Sequence, residues 1–234
     1  MTVSTAGLRQ ALDQLADLRT APGSIEEGLG RVVASADALF GVDGTALLLI
    51  DRDQVLRILA GSDRRASLLE ELEAAHGEGP CGDAFADKRP VAADDLAGDD
   101  RWPAFAPAAA SGGLLAVLAS PIPYSDHAVG VVAVFAGEPH PWAEGEQEAI
   151  VAFTELVALL ILNAMEASER GKLAGELQVA LDSRVVIEQA KGVLVGRHGL
   201  TTRQAFERLR RQARDQRRPL TDVARAVVSA AEHR

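Results

Sequence analysis

Arginine side chains near the C-terminus are the residues of this 234-residue chain best suited to chemistry with another molecule. Guanidinium groups bind phosphate through paired hydrogen bonds and stack on unpaired bases, which are the contacts that RNA loops offer. Only Glu207, Asp215 and Asp222 are interleaved among them, fewer acids than a solvated helix surface usually carries. The pattern therefore favours contact with RNA over a merely solvated face. The group comprises Arg197, Arg203, Arg208, Arg210, Arg211, Arg214, Arg217, Arg218 and Arg225.

A second polar group, Arg184, Glu188 and Lys191, falls on one stripe of the segment 183–194 by helical spacing. A solvated face is the alternative, because an exposed Arg184–Glu188 ion pair stabilises a helix by only about a few tenths of a kcal/mol. Gly192 follows Lys191 and would permit close approach, either of a neighbouring helix or of an RNA backbone. The sequence leaves both roles of Gly192 open.

Cys81 and His76 are the candidate sensor residues. Cys81 follows Gly79-Pro80, and at a helix N-terminus the dipole would lower the pKa of its thiol and make it reactive. A buried, unreactive side chain is the alternative, and no second cysteine is present to resolve a sulfenic acid. His76 is considered as a haem ligand. The histidines lack metal-site spacing, and no nucleophile elbow or phosphate loop supports catalysis, so we predict neither a metal site nor catalytic residues. The sequence does not indicate a cofactor.

Charge divides the chain into two parts. Residues 168–234 hold 14 Lys and Arg against 8 Asp and Glu, a net charge of +6, whereas residues 1–167 carry a net charge of −16. Such asymmetry is typical of a basic effector attached to an acidic body. One cysteine excludes an internal disulfide, and no basic segment precedes an apolar run at the N-terminus, so we expect a cytoplasmic protein. Polar residues interrupt the apolar segment 149–165, which suits a buried or dimerising helix better than a membrane span.

Three short helices are expected to hold the arginines. Gly199 ends the first, Thr201 and Gln204 have the spacing of a capping box for the second, and Pro219 opens the third. Apolar residues recur at helical spacing in each, so we expect the three to close over one small core. These residues are Val186, Ala190 and Val193 in the first helix, Ala205, Phe206, Leu209 and Ala213 in the second, and Leu220, Val223, Ala224, Val227 and Val228 in the third.

The segment 187–194 (Ile-Glu-Gln-Ala-Lys-Gly-Val-Leu), followed by Ala205-Phe206 and Leu209-Arg210, resembles the ANTAR domain. The resemblance covers about residues 177–231 and departs from the family at Val195, where Met is frequent. It implies a three-helix RNA-binding module that acts in transcription antitermination, usually as a dimer, by holding paired stem-loops in the leader of a message. The predicted RNA-binding residues are Arg184, Gln189, Lys191, Gly192, Arg203, Arg210, Arg214, Arg217 and Arg218.

The chain before this module is predicted to form an α+β domain. Apolar runs and turn signals predict an antiparallel sheet, with helices packed on one face and loops covering the other. The expected helices span residues 8–18, 25–39, 67–76, 83–87 and 102–110, and the expected strands span residues 45–50, 55–60, 91–93, 114–119 and 128–135.

Three segments of this domain resemble the GAF domain: 77–85 (Gly-Glu-Gly-Pro-Cys-Gly-Asp-Ala-Phe), 101–103 (Arg-Trp-Pro) and 129–135. The resemblance covers about residues 24–165 and implies a sensing fold that responds to an unknown small-molecule ligand or to redox state. Gly82 follows Cys81 where phytochrome-like GAF domains have His, which argues against covalent attachment of a bilin.

A long helix is predicted to join the two modules. The helix that begins near Ala143 meets no strong breaker before Gly171 and Gly175, so the pattern predicts that it continues into the ANTAR motif. Its heptad positions are apolar at both ends and polar between, which predicts a homodimeric signalling helix over residues 143–194. The alternative is a GAF core helix, a linker at residues 166–172 and a separate ANTAR helix. The apolar heptad positions include Leu156, Leu159, Leu173, Leu177, Ala180, Ile187 and Leu194.

We therefore predict an N-terminal arm and helix (1–23), a GAF-like sensor domain (24–165), a helical linker (166–176) and an ANTAR RNA-binding domain (177–234). The leading hypothesis is a signal-responsive regulator of transcription antitermination that binds RNA stem-loops as a homodimer, without a membrane partner. A second hypothesis is a DNA-binding regulator that uses the same three helices. A third is a GAF-type thiol enzyme that uses Cys81.

Overall fold

The computed structural model describes residues 25–167 and 172–232 of the chain. Contacts divide the chain into two compact units, Met1–Leu49 with Leu56–Glu169 and Ile50–Val55 with Arg170–Arg234, and each is described by itself. The predicted helix at residues 8–18 lies outside the described residues. So does the junction at residues 168–171, on which the prediction of one continuous helix depends.

The first unit is built around a five-stranded sheet with the strand order β2-β1-β5-β4-β3. Helices and strands follow each other along the chain as α1 (Ile25–Phe40), β1 (Gly44–Ile50), β2 (Leu56–Gly61), α2 (Arg64–His76), α3 (Pro80–Asp87), β3 (Val91–Ala93), a short 3-10 turn (Leu96–Gly98), α4 (Phe105–Ser111), β4 (Ala116–Tyr124), β5 (His127–Ala136) and α5 (Glu144–Ala167). The predicted α+β class, with an antiparallel sheet and flanking helices, is confirmed.

Helices cover both faces of this sheet, so the prediction that loops would cover one face is wrong. On one face, Val117 and Ala119 of β4 join a buried cluster with Cys81 of α3, Trp102 and Phe105. On the other face, the hydroxyl of Ser120 lies 3.2 Å from that of Thr154 in α5. One side of α5, which includes the buried residues Ile150, Phe153 and Val157, packs on this face of the sheet. Both faces need cover because every residue of β1 is buried.

Strand β4 ends later than predicted, because the segment between the predicted strands 114–119 and 128–135 continues β4 through Pro121 and Pro123. The short strand β3 pairs only with residues 117–119, so beyond Ala119 one edge of β4 has no neighbouring strand among the described residues. Proline lacks an N–H to donate and is tolerated at such an edge. A register shift between Ile122 and Pro123 lets β4 remain paired with β5 to the end.

Helix boundaries differ from the predictions where side chains from outside the helix bind its first N–H groups. Helix α2 begins at Arg64 because the Asp63 carboxylate accepts a hydrogen bond of 2.8 Å from the backbone N–H of Arg65. Helix α4 begins three residues later than predicted, at Phe105. There the Glu78 carboxylate, 27 residues earlier in the chain, accepts hydrogen bonds from Ala104 N and Phe105 N. Such a long-range cap has no local sequence signal.

The second unit contains α6 (Lys172–His198), α7 (Thr202–Gln216) and α8 (Leu220–Glu232), as predicted. Gly199 follows α6 with a positive φ of 63°, which favours glycine. Thr201 and Gln204 form both bonds of the predicted capping box. The three helices close over one apolar core, whose buried members are Ile187, Ala190, Leu194, Ala205, Leu209, Ala213, Leu220, Val223 and Ala224.

The heptad seam predicted for residues 143–194 is wrong in its C-terminal part. Ile187 and Leu194 are 1% and 6% exposed because they pack inside the three-helix core, so they cannot also form a seam with a second chain. In α5, by contrast, Leu156 and Leu159 are 36% and 57% exposed. Among the helices that the structure describes, none combines the length and apolar character needed to cross a membrane.

Candidate RNA interface and sensor site

Helix α7 is strongly amphipathic, and its apolar side determines where its arginines point. Ala205, Leu209 and Ala213 are buried against the other two helices. Arg203, Arg210 and Arg214 are separated by seven and four residues, so they lie on one stripe that faces away from that core. Arg203 and Arg214 are exposed, and the side chain of Arg210 is 27% exposed. The structure thus brings three of the predicted RNA-binding residues into one row.

The end of α7 continues this row of positive charge. Arg217 adopts a left-handed conformation with φ of 51°, and its N–H donates to the carbonyl of Arg214. The next N–H, of Arg218, donates to the carbonyl of Ala213 over 3.0 Å, which satisfies the last carbonyls of the helix. Both side chains are exposed in the resulting turn. Backbone geometry therefore presents two adjacent guanidinium groups beyond the end of the stripe.

Lys191 of α6 lies close to this stripe because both Lys191 and Arg210 contact the ring of Phe206. Phe206 was predicted only as a core residue. The ammonium nitrogen of Lys191 is 5.6 Å from the ring centroid of Phe206, and the guanidinium carbon of Arg210 is 5.9 Å from the same centroid. Lys191 also forms an ion pair of 2.8 Å with Glu188, and its side chain is 15% exposed. Glu188 and Lys191 were predicted to lie on one stripe, and the structure shows that their side chains are in contact.

Arg184 does not share this exposed surface. It is 8% exposed, and burial lowers the pKa of its guanidinium against the opposing effect of the Glu188 charge. A buried guanidinium has little surface to offer to phosphate. We therefore leave Arg184 out of the proposed RNA interface, while Gln189 and Gly192 on the same helix are exposed.

Gly192 has no packing role within the described structure. A methyl group added at its Cα would meet no atom within 4 Å, and the same holds for Gly196 one turn later. Glycine in a helix interior is less favourable than alanine by about 0.5–1 kcal/mol. The sequence left two roles open for Gly192. Close approach of a neighbouring helix of this chain is not supported by the structure, whereas close approach of a bound RNA backbone stays a prediction.

We predict that Gly192→Ala raises the free energy of unfolding by about 0.5–1 kcal/mol, because the change restricts the unfolded chain without introducing a clash. Urea unfolding of the full chain measures this effect. Gly196→Ala is the matched control for stability, since its site is equally open. If RNA approaches the backbone at Gly192, only the first variant weakens RNA binding. A loss of stability in Gly192→Ala would contradict the open site seen here.

Cys81 lies at the second position of α3, so its predicted place at a helix N-terminus is confirmed. Of the two readings of Cys81 left open by the sequence, the reactive thiol is not supported, because Cys81 is fully buried. Burial is the main cause that raises the pKa of its thiol well above the usual value, and the negative charge and hydrogen bond of Glu73 raise it further. The alternative of a buried, unreactive cysteine is the one that the structure supports.

Glu73 was not predicted as a functional residue, although it caps α3. Its two carboxylate oxygens accept hydrogen bonds of 2.8 Å from Cys81 N and Gly82 N. Gly79, with φ of 151°, is required at the entry to the helix because a Cβ there would collide with the Glu73 side chain. Burial raises the pKa of Glu73 from 4.5 to about 7, against the lowering effect of the bonds from Cys81 and Gly82. The carboxylate therefore changes charge near neutral pH.

We predict that the stability of Glu73→Gln relative to wild type increases as the pH is raised from 4 to 8. A pKa that is higher in the folded than in the unfolded state means that wild-type stability is lost as pH rises from about 4.5 through 7, by up to about 3 kcal/mol. Urea unfolding of both proteins at several pH values measures the difference in their free energies of unfolding. The effects of other carboxylates cancel in this difference. A difference that does not vary with pH would show that Glu73 does not titrate in this range.

The second candidate sensor residue, His76, is exposed in the last turn of α2 and does not line the cavity described next. An open cavity of about 450 Å³ lies elsewhere on the first unit, along an acidic segment at residues 94–100. Arg101 is held beside it by a contact of 2.6 Å to Asp99 and stacks over Trp102 at 4.3 Å, which explains the Arg-Trp pair found in the sequence. The cavity is lined by Ala92, Asp94, Asp95, Gly98, Asp99, Asp100, Arg101, Trp142 and Gln147.

Comparison with known families agrees with both resemblances. The GAF domain family matches residues 24–161, and the ANTAR domain family matches residues 175–228. The chain belongs to the GAF domain family and carries a C-terminal ANTAR domain. These two domains in this order identify a GAF-ANTAR family protein.

A curated relative and several solved structures are similar to this GAF-ANTAR protein. The nitrate regulatory protein of Klebsiella oxytoca is 35% identical over 86 residues, which are 36% of this chain and 22% of that protein. The GAF domain of a Coxiella burnetii phosphoenolpyruvate-protein phosphotransferase has a TM-score of 0.55 at 20% identity and covers 71% of this chain and 99% of its own. Free methionine-R-sulfoxide reductase from Neisseria meningitidis has a TM-score of 0.55 at 13% identity, covering 71% of this chain and 96% of its own. At these identities the structural likeness shows the fold alone.

Proposed function

We propose that this GAF-ANTAR protein binds RNA stem-loops in message leaders through α6 and α7 and thereby favours transcription antitermination. The stripe of Arg203, Arg210 and Arg214 carries this proposal, because two of its guanidinium groups are exposed and that of Arg210 is partly exposed beside them. Gln189, Lys191 and Gly192 extend the interface on α6, and Arg217 and Arg218 extend it beyond α7. The net charge of +6 on residues 168–234 supports association with a polyanion.

The input to this regulator is proposed to be a small molecule that binds the GAF domain. A redox signal received by Cys81, and the thiol-enzyme alternative, are not supported, because the sulfur is buried and its pKa is raised. The name of the Klebsiella relative associates that protein with nitrate, but the match spans about a fifth of its length. We therefore carry over a regulatory role and not the ligand.

The RNA proposal is tested with a fluorescent RNA hairpin selected in vitro on the full-length protein. We expect duplex DNA to compete much less well than the same hairpin unlabelled, since unpaired bases are available only in the loop. We also expect Arg214→Gln to weaken the selected hairpin and a loop-scrambled hairpin about equally and to reduce the salt slope of log Kd by about one unit.

Arg225→Gln is the matched control for this experiment. Arg225 is exposed on α8 and pairs with Asp222 at 3.5 Å, outside the α7 stripe. Circular dichroism and thermal unfolding establish that both variants are folded. Equal competition by duplex DNA would favour the DNA-binding alternative, and equal effects of Arg214→Gln and Arg225→Gln would place the interface away from α7.

The homodimer also remains a proposal, now supported by α5 alone. Leu156 and Leu159 are exposed apolar residues three positions apart, so they lie on one side of the helix. Leu159→Glu should convert a dimer into a monomer in sedimentation at micromolar concentration, because a charge cannot be buried there without a partner. Glu144→Gln, at an exposed site in the first turn of the same helix, is the control. A wild-type monomer, with and without RNA, would reject the homodimer.

A further inference from the structure

We propose that Phe206 is a positioning residue that holds Lys191 and Arg210 together as one phosphate-binding pair, an inference that rests on the proposed RNA-binding function. The face of an aromatic ring attracts cations that lie within about 6 Å of its centroid. Both cations satisfy this distance at the same ring, at 5.6 and 5.9 Å. Since Lys191 belongs to α6 and Arg210 to α7, the ring connects charges that are 19 residues apart in the chain.

The position of the ring is itself fixed by the three-helix core. Phe206 is partly buried and packs against the apolar cluster that contains Ile187, Leu194 and Leu209. One part of the side chain is therefore held by the protein interior, while the ring still lies near both cations. A ring that cannot rotate away reduces the freedom of the two long cationic side chains before RNA arrives, which lowers the entropic cost of binding.

Placing two positive charges around one side chain is unfavourable in the absence of an anion. Each cation is accompanied by a glutamate three residues earlier: Glu188 lies 2.8 Å from Lys191, and Glu207 lies 3.6 Å from Arg210. The glutamate side chains are 45% and 48% exposed, whereas the two cations are 15% and 27% exposed. The acids can therefore turn into solvent when RNA phosphate replaces them, while the ring retains the cations.

The test compares Phe206→Leu, which keeps an apolar side chain in the core, with Phe206→Tyr, which keeps the aromatic face. The full-length proteins are titrated with the selected fluorescent hairpin and with its loop-scrambled counterpart at several salt concentrations. We expect Phe206→Leu to weaken both hairpins about fivefold and to lower the salt slope by about one unit, as one poorly placed phosphate contact would. Phe206→Tyr should bind within about twofold of wild type, since its ring keeps the contact.

A double-mutant cycle then measures whether the ring acts through the cations. Lys191→Gln should weaken binding less in the Phe206→Leu background than in wild type, because the pair is already disrupted. Wild-type affinity in Phe206→Leu would overturn the inference. So would a loss confined to the selected loop with an unchanged salt slope, which would make Phe206 a surface for base stacking instead. If Phe206→Leu loses helical circular dichroism, Phe206→Met replaces it with the same expected outcomes.

Failure of the proposed function has a different signature. If selection on the wild-type protein enriched no hairpin, RNA binding itself would be rejected, whereas wild-type binding that is unaffected by Phe206→Leu rejects only the positioning role. Nuclear magnetic resonance of the RNA-free protein adds a readout that does not depend on RNA. The side-chain protons of Lys191 should carry an upfield ring-current shift that Phe206→Leu removes, and its absence in wild type would overturn the positioning contact.

Discussion

Burial of one apolar stripe of α7 is the constraint on which the candidate RNA surface depends. Ala205 and Leu209 are completely buried, and this orientation leaves the row of Arg203, Arg210 and Arg214 facing outward. The small side chain at Ala205 lets α7 approach its neighbours closely, and the capping box at Thr201 sets where the helix starts. A helix rotated by one residue would bury guanidinium groups at several kcal/mol each, so packing determines the charge pattern.

The GAF domain depends on a comparable constraint at its own helix ends. Its core brings α3 and α4 against the sheet, and their N-termini need acceptors that the local sequence does not supply. Two glutamates on either side of a glycine turn fulfil this need: Glu73 caps α3, and Glu78 caps α4. The half-buried position of Glu73 also raises its pKa to about 7, so the same contact that orders the helix is sensitive to pH. A carboxylate at this position also makes the thiol of Cys81 less acidic.

Local patterns predicted much of the architecture because they reflect local physics. The buried strand at residues 45–50, the glycine that ends α6 and the capping box of α7 each depend on neighbours within a few residues. Both domain families were identified from short motifs for the same reason. Predictions failed where distant residues decide the outcome. Pro121 and Pro123 continue a strand because β3 is too short to need their N–H groups, and α4 starts late because Glu78 is the residue that caps it.

By itself, the sequence determined the two-domain organisation, the basic C-terminal module and the residue types available for RNA contact, since composition and helical periodicity are properties of the chain. Tertiary structure alone decided which of those residues share a surface. It buried Arg184 and Cys81, and it removed Ile187 and Leu194 from the predicted seam. It also brought Lys191 and Arg210 to the ring of Phe206. Exposure and proximity between helices depend on how their faces pack, and that packing is set by the whole core and not by any single segment.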